Sequence, residues 1–369
     1  MIASLVEQLS RYPDLDLHVV TLSTGLAQVE VARREGVTVH YVPAVYRFAN
    51  LTFFLINKLR LRRVLLDLQP DLIHAHIAGH YSEVAFSLGR PAVLTPHGIR
   101  HREARLKRGW VHQLVRYPLR RYEEWRAIRQ AAHIISISPY VEQEFRGVIR
   151  GPVYPIENPV DDLFFDVEDR QQPFRLLFVG HLTPRKGVFD LIRTLPALRQ
   201  RFPEVQVHLA GKRDDEYDPG YFPAIQGFIR DHGPAACVHF LGQLEQPALL
   251  REYAECAVLV LPSLQETAPC VIEQAMAAGK AVVATRVGGV PYLVAPEATG
   301  LLVEPGQVAQ LGAALGRLLA DDTLRRAMGR RARQEAERRF RAAAVARQHY
   351  EVYRRVLAEH APSALALAA

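Results

Sequence analysis

The sequence predicts an α/β protein built from two doubly wound parallel-sheet domains. Three observations carry this: apolar strand-like runs alternate with helix-like stretches, the alternation occurs twice, and a proline-rich acidic segment separates the two sets. Near-continuous apolar strands with helices between them belong to parallel sheets covered on both faces. At 369 residues the chain is long enough for two cores of ordinary size.

The chain opens on a helical pattern, with Ile2, Leu5, Val6 and Leu9 on one apolar face. The first set of strands then reads "LHVVTL" from Leu17, "VTVHYV" from Val37, "DLIHA" from Asp71, "PAVLT" from Pro91, "HIISI" from His133 and "VYPIE" from Val153. Residues 150–174, with four prolines and an acidic cluster, have the composition of a linker. The second set reads "RLLFVG" from Arg175, "VQVHLAG" from Val205, "CVHFLG" from Cys237, "AVLVLP" from Ala257, "AVVAT" from Ala281 and "LLVEP" from Leu301. The rest is helical and rich in Ala and Arg, and its tail "APSALALAA" reads as disordered. The expected division is a first domain over 1–167, a second over 168–340, and a last helix from 341 returning to the first.

Composition narrows the class. With 49% hydrophobic and 23% charged residues the chain reads as globular. No apolar run approaches the roughly 20 residues that span a bilayer; "LTFFLI" from Leu51 stops after six. There is no secretory signal, and three scattered cysteines suggest neither a disulfide framework nor a metal cluster, so the expected compartment is the cytoplasm. Between Arg100 and Gln130 lie ten Lys or Arg against three Glu, which accounts for the whole net charge of +7. Trp110, Tyr117, Tyr122 and Trp125 interleave with them, a pattern suited to an anionic membrane surface. A nucleic-acid surface would use the same residues but is not the expected partner.

Doubly wound sheets bind ligands outside the carboxyl ends of their strands, and with two such domains the expected site is the cleft between them. After strand 257–261 come Glu266 and a helix expected over 268–278, with Thr267 as N-cap and Gly279 as its stop. A helix start is an anion site. A carboxylate beside it suits a ligand that also carries hydroxyls, and phosphate plus polyol describes a nucleotide sugar. After strand 175–179, Gly180, His181, Arg185 and Lys186 precede Gly187, which places two cations where a diphosphate would sit. No G-x-G-x-x-G follows a first strand, which counts against a dinucleotide oxidoreductase.

Taken in order, "DLIHAH", "LTPHGI", "AAHIISISPYVEQEF", "IENPVDDLFF", "FVGHLTPRKGVFDLI", "VHFLGQL" and "LVLPSLQETAPCVIEQAMAAGKAVVATRVGGVP" resemble the retaining glycosyltransferases of family 4 over nearly the whole chain. That family has the GT-B architecture, two Rossmann-like domains facing across a cleft. The resemblance implies a transferase that takes a hexosyl group from a UDP- or GDP-linked donor, without metal or other cofactor. The implied acceptor is a glycan or lipid-linked precursor of an envelope or capsule polysaccharide, and the implied place is the cytoplasm or the inner face of the plasma membrane. Glu266 matches the first Glu of the E-x7-E motif; the second falls on Gln274, with Glu273 a neighbour on another helix face. Gln274 would accept a ribose hydroxyl through its carbonyl. Lys186 matches the diphosphate lysine, His181 stands where the partner arginine is usual, and Arg185 is placed to compensate. His97 matches the histidine near the donor sugar, giving His97, Glu266 and Lys186 as catalytic candidates. Gly180, His181, Arg185, Thr267, Ala268 and Gln274 join Lys186 and Glu266 as donor-binding ones.

His74, His76 and His80 in "HAHIAGH" offer a metal-like spacing, but residues at i and i+2 of a strand share a face by default, and the family uses no metal. The sequence also suggests that the family's opening strand and Gly-rich loop are missing, since Met1 already falls in the first helix. On that reading the alternative is a truncated or non-catalytic relative that only binds nucleotide.

Overall fold

The computed structural model describes residues 1–46, 54–106, 112–214 and 218–360. Its contacts divide the chain into two compact units, Val160–Arg341 and Met1–Pro159 together with the segment from Ala342. The crossings thus fall at 159/160 and 341/342, where the sequence suggested 167/168 and 340/341. The tail from Ala361, the segment 47–53 with the start of "LTFFLI", and Trp110 within the basic stretch lie outside the described residues.

In the first unit β1 (Leu17–Ser23), β2 (Glu30–Arg34) and β3 (Val37–Pro43) form one sheet in the order β1-β3-β2. β4 (Ile73–Ala75), β5 (Ala92–Leu94), β6 (His133–Ser136) and β7 (Val153–Pro155) form another in that order, all parallel. The expectation of purely parallel sheets fails at β2, which runs antiparallel to β3. Its sequence, "EVARR", is largely exposed, so it carries none of the apolar continuity that marks the other strands. The final helix, Ala342–His360, packs Ala346 and Tyr353 against Leu5 and Leu9 of the helix Ile2–Leu9, and Tyr350 stacks on Tyr12 at 4.2 Å.

The second unit is one parallel sheet of β8 (Arg175–Val179), β9 (Gln206–Ala210), β10 (Val238–Gly242), β11 (Val258–Leu261), β12 (Ala281–Thr285) and β13 (Gly300–Val303). The order is β10-β9-β8-β11-β12-β13. β11 and β12 are buried along their whole length, because helices cover the sheet on both faces. The winding reverses between β8 and β11, so the two loops that leave these strands open the crevice where such sheets take ligands.

Candidate active site

The loop after β8 and the loop after β11 are drawn together by a glycine. Gly187 has φ +67, and a Cβ there would stand 1.9 Å from the Pro262 carbonyl oxygen. No other residue type fits so close to the neighbouring backbone. Leu264 N donates to the Arg185 carbonyl at 2.7 Å, which ties the loops. The result is that Lys186 Nζ lies 2.7 Å from Glu266 Oε1. Ser263 Oγ donates to the same oxygen at 2.7 Å, and Arg185 Nη1 lies 3.8 Å from Oε2 while donating to the Gln265 carbonyl at 3.1 Å. Glu266 is only 6% exposed, yet its charge is met by an ammonium, a guanidinium and a hydroxyl. The lysine stem runs beside Gly180, where an added Cβ would come within 3.7 Å of Lys186 Cδ.

Not every donor-site candidate joins this group. His181 is exposed at the edge of the loop, while Thr267 and Ala268 are buried. The helix begins later than the sequence suggested, running over Cys270–Ala277 with Pro269 as N-cap. Thr267 is therefore not its cap, and the N-cap, Pro269, has no side-chain group to offer. Gln274 is half-buried, and its amide oxygen accepts a hydrogen bond from the Tyr253 hydroxyl at 3.1 Å. Glu273 is fully buried, on the side of the Cys270 thiol. Ser263, Thr285 and Tyr253 went unnoticed in the sequence; only the tertiary fold shows that Ser263 and Tyr253 hold Glu266 and Gln274, or that Thr285 Oγ1 binds the Ser263 carbonyl.

His97, in the first unit, follows β5. Its Nε2 lies 2.9 Å from His76 Nδ1, with the rings stacked at 5.2 Å. The His76 ring lies in turn 4.0 Å from that of His74, tilted to it by 33°, and His74 is held by Thr95 Oγ1 and the Tyr353 hydroxyl, each at 2.7 Å. Burial lowers His97 to about 4, although the neighbouring Asn158 acts the other way. Burial, then the neighbouring His97 and His349, lower His76 to about 3; burial lowers His349 to about 4 and puts His74 well below its ordinary value. At neutral pH these rings are uncharged. His80 stands apart from them, stacked on Phe54 at 4.6 Å.

The basic stretch contains the helices Arg100–Arg105 and Tyr117–Gln130. Leu114, Val115 and Tyr122 are exposed on it, as are Arg116 and Arg121. Glu124 is not part of that surface: fully buried, it accepts from the amides of Arg100 and His101 at 2.8 and 3.1 Å and so ends the free start of the helix Arg100–Arg105. No helix of the described residues is long and apolar enough to cross a membrane.

Two family models match in succession: Glycosyltransferase Family 4 over residues 1–162 and Glycosyl transferases group 1 over residues 160–335. The chain is 30% identical to a glycogen synthase of Mycobacterium tuberculosis over 295 residues, covering 77% of this chain and 69% of that protein. It is 28% identical to the alpha-maltose-1-phosphate synthase of Mycolicibacterium smegmatis over 391 residues, covering 97% and 95%. Among solved structures it is similar to the sucrose-phosphate synthase of Thermosynechococcus elongatus, with a TM-score of 0.81 at 24% identity over 97% of this chain and 93% of that one. Anabaena HepE in complex with UDP and glucose gives 0.75 at 21% identity over 95% of each. The fold is GT-B, and the chain belongs to family 4 of the glycosyltransferases: it is a retaining transferase that draws on a nucleotide-sugar donor. Because the first model matches from residue 1, the expected loss of the opening strand and loop is not borne out.

Proposed function

We propose that the protein transfers a hexosyl group from a UDP- or GDP-linked donor to a glycan or lipid-linked acceptor in envelope or capsule polysaccharide synthesis, without a metal ion. The observation that carries the donor assignment is the contact of Lys186 with Glu266 at 2.7 Å, made by the loops that leave the two strands flanking the reversal of the second sheet. An ammonium and a carboxylate there supply the two chemistries a nucleotide sugar needs, a cation for diphosphate and an acceptor for sugar hydroxyls. In this reading Lys186, with Arg185, holds the diphosphate, and Glu266 and His97 hold the donor sugar. Gly180 and His181 border the diphosphate, Thr267 and Ala268 lie beside the sugar, and Gln274 binds the ribose.

Transfer is front-face. The bond from the anomeric carbon to the diphosphate oxygen breaks, its electron pair leaving with the diphosphate. The acceptor oxygen bonds to the same face, and its proton passes to a diphosphate oxygen. Lys186 and Arg185 stabilise the charge that grows on the leaving group. The test is product formation from a panel of UDP- and GDP-sugars, with released UDP or GDP and the anomeric configuration of the product as readouts. Turnover of none of them, or an inverted product, would sink the reading.

The segment Arg100–Gln130 serves in this reading as a peripheral anchor on the inner face of the plasma membrane, near a lipid-linked acceptor. Exposed Leu114, Val115 and Tyr122 support it, set among cations that contribute about 1 kcal/mol each at an anionic surface. Co-sedimentation with vesicles should rise with anionic lipid and fall with salt; indifference to both would dismiss the anchor.

A further inference from the structure

We propose that His76 is a positioning residue for His97: its Nδ1, 2.9 Å from His97 Nε2, fixes the plane and tautomer in which His97 meets the donor sugar. The kinetic side of this inference rests on the glycosyl-transfer reading above; the structural side does not.

The topology makes the contact. β4 and β5 are parallel neighbours in register Ala75↔Leu94, so the residues that leave their carboxyl ends emerge side by side. Two rings meeting nitrogen to nitrogen must divide the roles, one donating and the other accepting. Both are uncharged at neutral pH, since His76 titrates at about 3 and His97 at about 4, so each has a single N–H to place. The contact couples the two rings whichever of them donates: the ring that gives its N–H fixes the bare nitrogen of the other, so His76 and His97 set each other's tautomer.

The support behind His76 is equally directional. Its ring lies 4.0 Å from that of His74, whose two nitrogens are taken by Thr95 and by Tyr353 of the last helix. His349 of the same helix spends Nδ1 on the Val345 carbonyl at 2.9 Å. An apolar side chain at position 76 would fill the space with less loss of hydration; an imidazole adds a bond with a direction. Without it His97 could rotate or take the other tautomer.

The atom involved gives the test. An Asn amide reaches the place of Nδ1, whereas a Gln amide reaches that of Nε2. In the full chain, His76→Asn should keep kcat within about threefold of wild type. His76→Gln and His76→Ala should lower it about tenfold, the worth of one neutral hydrogen bond, with donor KM within about twofold. Ring 15N spectra, which need no substrate, should show one His97 tautomer in wild type and His76→Asn and a mixture in His76→Gln. Equal kcat in all three variants would overturn the proposal. So would equal losses in Asn and Gln that track melting temperature, or an unchanged His97 tautomer in His76→Gln. If wild type turns over no donor, the transfer reading fails and the ring spectra alone decide the role of His76.

Discussion

The two units place polar groups beyond their strand ends by opposite means. Past β4 and β5 the first unit sets neutral imidazoles against one another, with hydroxyls behind them. Past β8 and β11 the second unit sets a lysine and an arginine against a carboxylate. The difference teaches what each can receive. A neutral ring offers one donor and one acceptor, which suits a hydroxyl and brings no positive charge to meet an anion. An ammonium held by a carboxylate is a charge kept in place, available to a diphosphate once that arrives. On the proposed reading the first unit meets the donor through a neutral ring alone, while the second meets it with the cations for the diphosphate and with Glu266 for a sugar hydroxyl.

The comparison should break first in acid. Burial places the folded values of His97 and His349 near 4, so between 6.5 and 4 the unfolded chain binds protons that the folded first unit does not. Stability is full above 6.5 and falls as pH descends through that window. For His349, protonation in place costs about 3 kcal/mol, and the neighbouring rings titrate with it as a set. In the second unit Glu252 and Asp169 are lowered: burial would raise them, but His208 and Arg175 outweigh it for the first and Lys280 for the second. Stability from lowered carboxylates is present above their ordinary range and is lost only as pH falls through the folded values. Hydrogen exchange by segment at pH 5 should therefore rise in residues 1–159 and 342–360 while residues 160–341 stay protected. Loss of protection in both units together would contradict the contrast.

Lys186→Ala is the next largest effect. Removing one group that meets developing negative charge costs roughly 10²–10³ in kcat, whereas His97→Ala removes a neutral partner and should cost about tenfold. Melting temperature must be followed beside activity, because the substitution takes the ammonium from the buried Glu266 and leaves it Ser263 and a more distant Arg185. A folded Lys186→Ala that keeps half its turnover, or a His97→Ala that loses as much as Lys186→Ala, removes the division of labour.

How far all this could be read beforehand depended on distance along the chain. Twelve of the strands were legible because each holds a short apolar run, whether buried throughout like β11 and β12 or partly exposed like β1 and β10; β2 was not, because "EVARR" lies exposed at an edge. Lys186 and Glu266 were legible from their places directly after strands. The pairing of Lys186 with Glu266 across 80 residues was not, nor was that of His76 with His97 across 21, since both need the strand order. The start of the helix Cys270–Ala277 was misjudged because Thr267 is a good N-cap by type, while the loop from Glu266 to Ala268 is buried and extends the chain to Pro269. Glu124 was counted as surface charge because nothing local shows that it receives the first amides of a helix 24 residues earlier.

The smallest effect expected is at Gln274, and it tests the register of the donor motif. The sequence suggested that its carbonyl would take a ribose hydroxyl, but in the structure that oxygen already accepts from Tyr253. One lone pair and the amide hydrogens remain. Gln274→Glu supplies a carboxylate with room for Tyr253 and for a hydroxyl at once, and a bond to a charged group contributes about 1.5–3 kcal/mol against about 0.5–1.5 for a neutral one. Donor affinity should rise roughly five- to tenfold, since about 1.4 kcal/mol is a factor of ten. Tyr253→Phe frees the Gln274 oxygen and should raise it about twofold at most, because a neutral bond is only exchanged for another. Glu273, fully buried, should leave affinity unchanged when replaced by Gln. Titration of UDP and GDP onto the three variants by calorimetry ranks them. If Glu273→Gln weakens binding and Gln274→Glu does nothing, the ribose is held by the buried face of the helix, and the second motif position must be moved to Glu273.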